Sequence, residues 1–216
     1  MGKSFGIGAA VALAMTLLAA SSAQAAVYLL TLDGCTGSCG TAPYGTVTVT
    51  PDATNVGSLD VLVQLAPGVQ FNGAGNSPTH TAVAFDLVGN PAVTIQNISN
   101  ANFVPNVPLA TANDAPFGAF GYTLDWNGPN GNPTGVTSLS FEIFTAGGPL
   151  TLGSTLYNGQ SLVFAADVLG NGNTGNVAAV LSAVPEPATW AMLLVGFGLI
   201  GAGLRTRREE NSVLAS

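Results

Sequence analysis

Every Lys and Arg in this 216-residue chain lies near one end or the other: Lys3, Arg205, Arg207 and Arg208. Residues 26–184 carry eight carboxylates (Asp33, Asp52, Asp60, Asp86, Asp114, Asp125, Glu142 and Asp167), and their only basic side chain is His80. Burying a carboxylate without compensation is very costly. With no ion pair available, each acid must be solvated, hydrogen-bonded in a turn, or bound to a cation. Asp60, Asp86, Asp125, Glu142 and Asp167 fall on the polar phase of apolar alternations, and Asp33, Asp52 and Asp114 fall in turn-like contexts. The expectation is a solvated acidic face. So few cations exclude an electrostatic nucleic-acid binder, which needs a Lys/Arg patch. A hydrophobic content of 47% excludes a disordered chain. Twenty-eight Gly and 13 Pro exclude a mostly helical domain.

Period-two alternation dominates residues 26–184. Leu59, Val61, Val63 and Leu65 share one phase, with Leu62 breaking the pattern. Val83, Phe85 and Leu87 form a second such set, and Phe120, Tyr122, Leu124 and Trp126 a third. Leu139, Phe141 and Ile143 form a fourth, and Val47 and Val49 alternate with threonines. This is the pattern of half-buried strands. Further strands are predicted over 27–32, 92–98, 150–157, 161–168 and 177–183, separated by turn clusters such as Pro67-Gly68 and Asn171-Gly172-Asn173. The predicted fold class is all-β: an antiparallel β-sandwich or jelly-roll-like body with one polar face per strand.

The two ends read differently. Lys3, an apolar stretch from Ile7 to Ala20, and Ala23-Gln24-Ala25 follow the layout of a secretory signal peptide, so residues 1–25 are expected to form a cleaved signal helix. Residues 188–204 contain no charge and precede Arg205-Thr206-Arg207-Arg208. Seventeen residues at ~1.5 Å each give about 25 Å, the lower limit for a transmembrane helix. Gly196-Phe197-Gly198-Leu199-Ile200-Gly201 matches a dinucleotide-binding spacing but lies inside this apolar run, with no βαβ unit around it. Cationic flanks stay in the cytoplasm, so the region between them would be translocated.

Pro185-Glu186-Pro187, followed by Trp190-Ala191, an apolar helix, and Arg205, Arg207 and Arg208, resembles the PEP-CTERM sorting signal in its PEP-x-x-W-A variant. The resemblance divides the chain into a signal peptide (1–25), a body (26–184) and a sorting signal (185–208: motif 185–187, span 188–204, basic tail 205–208). It implies export, transient tethering in the inner membrane, and processing near the tripeptide by an exosortase-like membrane protease or transpeptidase. It also implies association with extracellular polysaccharide and biofilm, at the cell surface or outside the cell.

Specific chemistry in the body is sparse. Calcium takes oxygen ligands from carboxylates and loop carbonyls, and Asp125 with Asn127, and Asp167 with Asn171 and Asn173, are the weak candidates. Neither set fits an EF-hand loop. His80 reads as a surface or loop histidine, since no nucleophile elbow accompanies it. Cys35 and Cys39, in an exported chain, are expected to form a disulfide. No cofactor is implied. The leading expectation is a non-catalytic surface or matrix protein. The alternatives are a carbohydrate-binding module, calcium-dependent or not, which needs exposed aromatics, and a glycan hydrolase, which needs two carboxylates facing across a cleft.

Overall fold

The computed structural model describes residues 25–73, 81–106 and 112–180, together with residue 194 and residues 196–198. The chain divides into two compact units, Ala25–Val184 and a second made of Met1–Gln24 with Pro185–Ser216. The predicted signal helix lies outside the described residues. So does the predicted span, apart from Leu194 and residues 196–198, which are helical. Among the described residues no helix is long and apolar enough to cross a membrane.

The first unit is built almost wholly of antiparallel strands: β1 (Ala26–Asp33), β2 (Gly45–Pro51), β3 (Leu59–Leu65), β4 (Val69–Phe71), β5 (Val83–Leu87), β6 (Thr94–Gln96) and β7 (Phe103–Asn106). After these come β8 (Ala112–Asn113), β9 (Ala119–Phe120), β10 (Tyr122–Trp126), β11 (Ser138–Phe144), β12 (Thr155–Leu156), β13 (Phe164–Gly170) and β14 (Asn173–Val180). Twelve of them form one sheet in the order β6-β11-β3-β2-β1-β14-β13-β5-β10-β7, with β12 on β5 and β4 on β13; β8 and β9 pair separately. The predicted sandwich is therefore one continuous, nearly closed sheet rather than two. Its halves meet across the core: Phe85 of β5 stacks on Phe141 of β11 at 5.9 Å between ring centroids, although the two strands lie far apart in the sheet. Phe85 also contacts Tyr122 (5.4 Å) and Phe164 (5.9 Å).

The alternation places the inner face as expected over β3, whose residues switch strictly between buried and exposed. Leu62 follows the rule and lies outside, 40% exposed. The β13–β14 hairpin closes through Asn171-Gly172, both at positive φ (51° and 75°), which a two-residue turn of this hand requires. In β1, Thr31 is an extra residue between Leu30 and Leu32, so the strand bulges.

Three expectations are corrected. Strand pairing in 150–157 is confined to β12, because residues 152–154 form a 3₁₀ turn. Phe120 does not continue the phase of Tyr122: the chain breaks at Gly121, whose N–H donates to Asp86, and Phe120 joins a separate cluster. Solvent-exposed outer faces are also missing from β10 and nearly so from β13, since every residue of β10 is buried and only Leu169 is half-buried in β13. The ladder Ala84–Ala165–Ala178 presents a shallow outer surface, and Phe117, Phe120 and Leu162 pack over it.

Phe85→Ala is expected to remove the ring that joins the two halves of the sheet and to cost about 3–5 kcal/mol, read as a lowered urea midpoint. A loss below about 1 kcal/mol would show that the halves do not depend on this contact.

Candidate functional site

Half of the eight acids are not part of a solvated face. Asp114 and Asp167 are 0% exposed, Glu142 2% and Asp125 4%. This corrects the surface reading for four of the eight. The strand phase of Asp125 and Asp167 did point away from the inner core, but the outer face is itself covered over β10 and β13.

Asp114 lies in the segment that crosses the alanine ladder. Its carboxylate accepts from Thr81 N (3.0 Å) and Thr81 Oγ1 (2.7 Å). Asn176 Nδ2 donates to Ala115 O and Asn158 Nδ2 to Phe117 O, so side chains of β14 and the 158–162 turn hold the segment down. Asp167, opposite Asn176 in the β13–β14 register, accepts from Asn72 Nδ2 at 3.1 Å. Thr81 joins the two acids, because its carbonyl accepts from Asp167 N.

Asp125 is less well provided. Its Oδ2 meets Asn106 Nδ2 at 3.4 Å, and its buried Oδ1 has no hydrogen bond. Burial pushes its carboxyl above the ordinary range, and the Asn106 amide offsets only part of that. Glu142 is the reverse case. Desolvation alone would raise it, but donors surround it: Asn55 Nδ2 at 2.5 Å, Asn97 Nδ2 at 2.6 Å and Gln96 Nε2 at 3.0 Å. The buried Ser58 hydroxyl also helps to lower the carboxylate. The sum holds Glu142 below the usual carboxyl range.

Cys35 and Cys39 form a disulfide with Cα atoms 5.7 Å apart. The loop it closes is pinned on both sides. Asp33 accepts from Cys35 N (2.9 Å) and Tyr44 Oη (2.8 Å), and Asn173 Nδ2 donates to Ser38 O (3.0 Å). The loop sits so close to the β13–β14 hairpin that a Cβ on Gly170 would lie 2.3 Å from Cys39 O. Asp33 stands beside both sulfurs, but a disulfide offers no thiolate to a metal.

The two sets of calcium candidates do not assemble. Asp125 is buried while Asn127 is exposed and turns its N–H to Asn102 O. Asp167 pairs with Asn176, three positions along the ladder from the Gly170–Asn173 pair, roughly 10 Å at strand rise. Asn173 Nδ2 donates to Ser38 O and Asn171 O. Two shallow clefts of about 330 and 490 Å³ flank the Pro67-Gly68 turn and the Asn171-Gly172 turn, and no carboxylate lines either. Among the described aromatics of this unit, Tyr157 alone is exposed (40%). His80 and the sorting residues Pro185, Glu186, Pro187, Trp190, Ala191, Arg205, Arg207 and Arg208 lie outside the described residues. Sequence reasoning missed Asn55, Ser58, Gln96 and Asn97 as partners of Glu142, because they come from three separate loops and strands.

The chain holds an all-β unit with a disulfide, and the residues after Val184 fall in a second unit. Residues 183–208 match the family model of the PEP-CTERM protein-sorting motif. The chain thus carries a PEP-CTERM signal, which supports export through a membrane-anchored precursor and sorting by an exosortase. No curated protein and no solved structure matches the chain.

The pKa directions set a test. A carboxyl raised on folding stabilises the fold below its unfolded pKa, and that contribution is lost as pH rises through the folded pKa; a lowered one, such as Glu142, behaves in the opposite sense. Asp125→Asn is therefore expected to stabilise the protein at pH 7 by about 1–2 kcal/mol. The advantage should shrink as pH falls and wild-type Asp125 takes up its proton. Urea midpoints at neutral and acid pH check this, and a variant less stable than wild type at pH 7 would contradict it.

Proposed function

We propose that the protein is a non-catalytic constituent of the cell surface or extracellular matrix, released or handed on after exosortase processing and associated with exopolysaccharide. The observation that carries this reading is the sorting motif at residues 183–208, placed after a body without Lys or Arg. Two features support the non-catalytic part. Asp114, Asp167 and Glu142 engage in hydrogen bonds that hold loops and strands together. Those three, with Asp125, are almost fully buried, whereas a glycan hydrolase exposes its acids to substrate. The burial of the aromatics weighs against sugar-stacking platforms.

Between Lys3 and Arg205 the chain offers trypsin no site, which suits a protein that works outside the cell. Mass spectrometry of the mature protein from culture fluid tests the reading. The expected product begins near Ala26 and ends near Pro185–Pro187. An intact basic tail, found only in membrane fractions, would overturn release and argue for permanent anchoring. Loss of the protein from purified matrix without any change in matrix retention or composition would remove the exopolysaccharide association.

A further inference from the structure

Strand direction sorts the loops of the body into two ends. β14 runs toward Val180, and neighbouring strands along the sheet are antiparallel. The end at which β14 finishes therefore also holds the start of β1 at Ala26, the β2–β3 loop, the β5–β6 turn and the loop after β11. The segment after β12 lies there too, because Thr155 pairs with Leu87 at the close of β5. The other end holds the disulfide loop, the Pro67-Gly68 turn, the β6–β7 and β10–β11 loops and the Asn171-Gly172 turn.

Exposed large apolar side chains in the described loops gather at the first end. They are Val56 (89% exposed) in the β2–β3 loop, Val88 (53%) in the β5–β6 turn and Tyr157 just after β12. The described loops of the other end carry no such residue. Backbone hydrogen bonds fix the first set to one another: Leu150 N donates to Gly57 O and Val88 N to Ser154 O, both at 2.8 Å. Single exposed apolar residues are ordinary, but three on joined loops at one end give the body a direction. Asp52 and Asp60 lie at this end as well, and the body has no Lys or Arg. Any lipid contact here is therefore apolar, without the basic residues that bind anionic headgroups.

We propose that this end of the body rests on the lipid surface while the chain is anchored, with Val56, Val88 and the Tyr157 ring entering the interfacial layer; the inference depends on the anchored-precursor reading. Only residues 181–184 separate Val180 from Pro185, and the apolar run begins at Ala188. The Cα steps from Val180 to Ala188 span at most about 26–29 Å when fully extended, so the end where β14 finishes stays near the bilayer. β1 starts at that same end, beside β14, directly after the expected signal peptide. Two tethers thus leave from adjacent strands and turn one end toward the membrane until the first is cut. Valine tips suit the hydrocarbon boundary, and tyrosine pairs an apolar ring with a polar hydroxyl, as interfacial aromatics do. Three tips hold a free body only weakly, and tethering supplies the effective concentration that makes weak contact sufficient. Cleavage near the tripeptide removes that advantage, and the body leaves the surface.

The test places the full chain in phosphatidylcholine vesicles. Both native cysteines are paired, so one introduced cysteine takes an environment-sensitive dye without reduction: Val56→Cys or Val88→Cys at the proposed contact, Thr134→Cys in the β10–β11 loop at the other end. At residues 56 and 88 the emission should shift to the blue and be quenched by lipids carrying a nitroxide high on the acyl chain; at residue 134 neither should occur. Adding Val88→Asp and Tyr157→Asp to Val56→Cys should abolish both signals. Flotation with the vesicles reads anchoring separately. A chain that floats while the dye at residues 56 and 88 stays as in water overturns the docking alone, and a chain that fails to float overturns the anchored reading and the docking with it. Equal signals at residues 56 and 134, or signals that survive the double substitution, also overturn the proposal. Signals confined to vesicles made from native membranes overturn the lipid surface in favour of a membrane protein.

Discussion

A carboxylate with no cation within reach must be satisfied by neutral donors, and the body of this protein is organised around that constraint. Amides and hydroxyls take the place that Lys and Arg occupy elsewhere. Thr81 serves Asp114, Asn72 serves Asp167, and three carboxamides serve Glu142. These contacts are also the ones that tie remote parts of the chain together: Asn55 and Glu142 are 87 residues apart, and Asn72 and Asp167 are 95. Asp167 and Glu142 thus each fix a loop residue to a strand, and Asp114 joins two loop segments, by hydrogen bonds to a charged group, which are worth more than neutral ones.

Folding the sheet on itself creates the burial that makes those contacts matter. The inner face closes through Phe85, Phe141, Phe164 and Tyr122. The outer face would be open, but Ala84, Ala165 and Ala178 leave room for a crossing segment bearing Phe117 and Phe120. That segment needs anchoring, because it pairs only locally through β8 and β9. Asn158 and Asn176 anchor it through carbonyls, and Asp114 anchors it through Thr81. The covered outer face is therefore a second, smaller core with a polar rim, in which the buried polar groups specify where the segment lies.

Strand positions and the inner core were legible in the sequence, because alternation with β-branched and aromatic residues reports burial of one face. Leu62 shows how strong that signal is: its exposure follows from phase alone, against its hydrophobicity. Burial of the second face was not legible. Ala84 of β5 and Ala82 just before it alternate with Val83 and Phe85 as the weak phase, yet both are 0% exposed. Small residues are compatible with solvent and with a close-packed covering, and only the fold decides between them. Short strands interrupted by proline, such as β7 with Pro105, were missed for a different reason, since proline removes a ladder donor and argues against a strand. The sorting motif was legible because its order of tripeptide, apolar run and basic cluster is linear in sequence, whereas the shell of Glu142 is assembled from elements distant in sequence.

The same constraint governs how the body responds to its surroundings. Surface ion pairs in ordinary proteins lose strength as salt screens them. Here the described body has carboxylates and no Lys or Arg, so the long-range electrostatics among charged side chains are repulsive and screening relieves them. The hydrogen bonds that hold the buried acids are short-ranged, come from neutral donors, and are shielded from mobile ions by burial. Acid acts unevenly: protonation weakens the shell of Glu142 and the turn at Asp33, both held low by their donors, while it relieves Asp125, held high by burial. A fold assembled this way keeps its specific contacts across a wide range of ionic strength, a property suited to a chain that is exported from the cell.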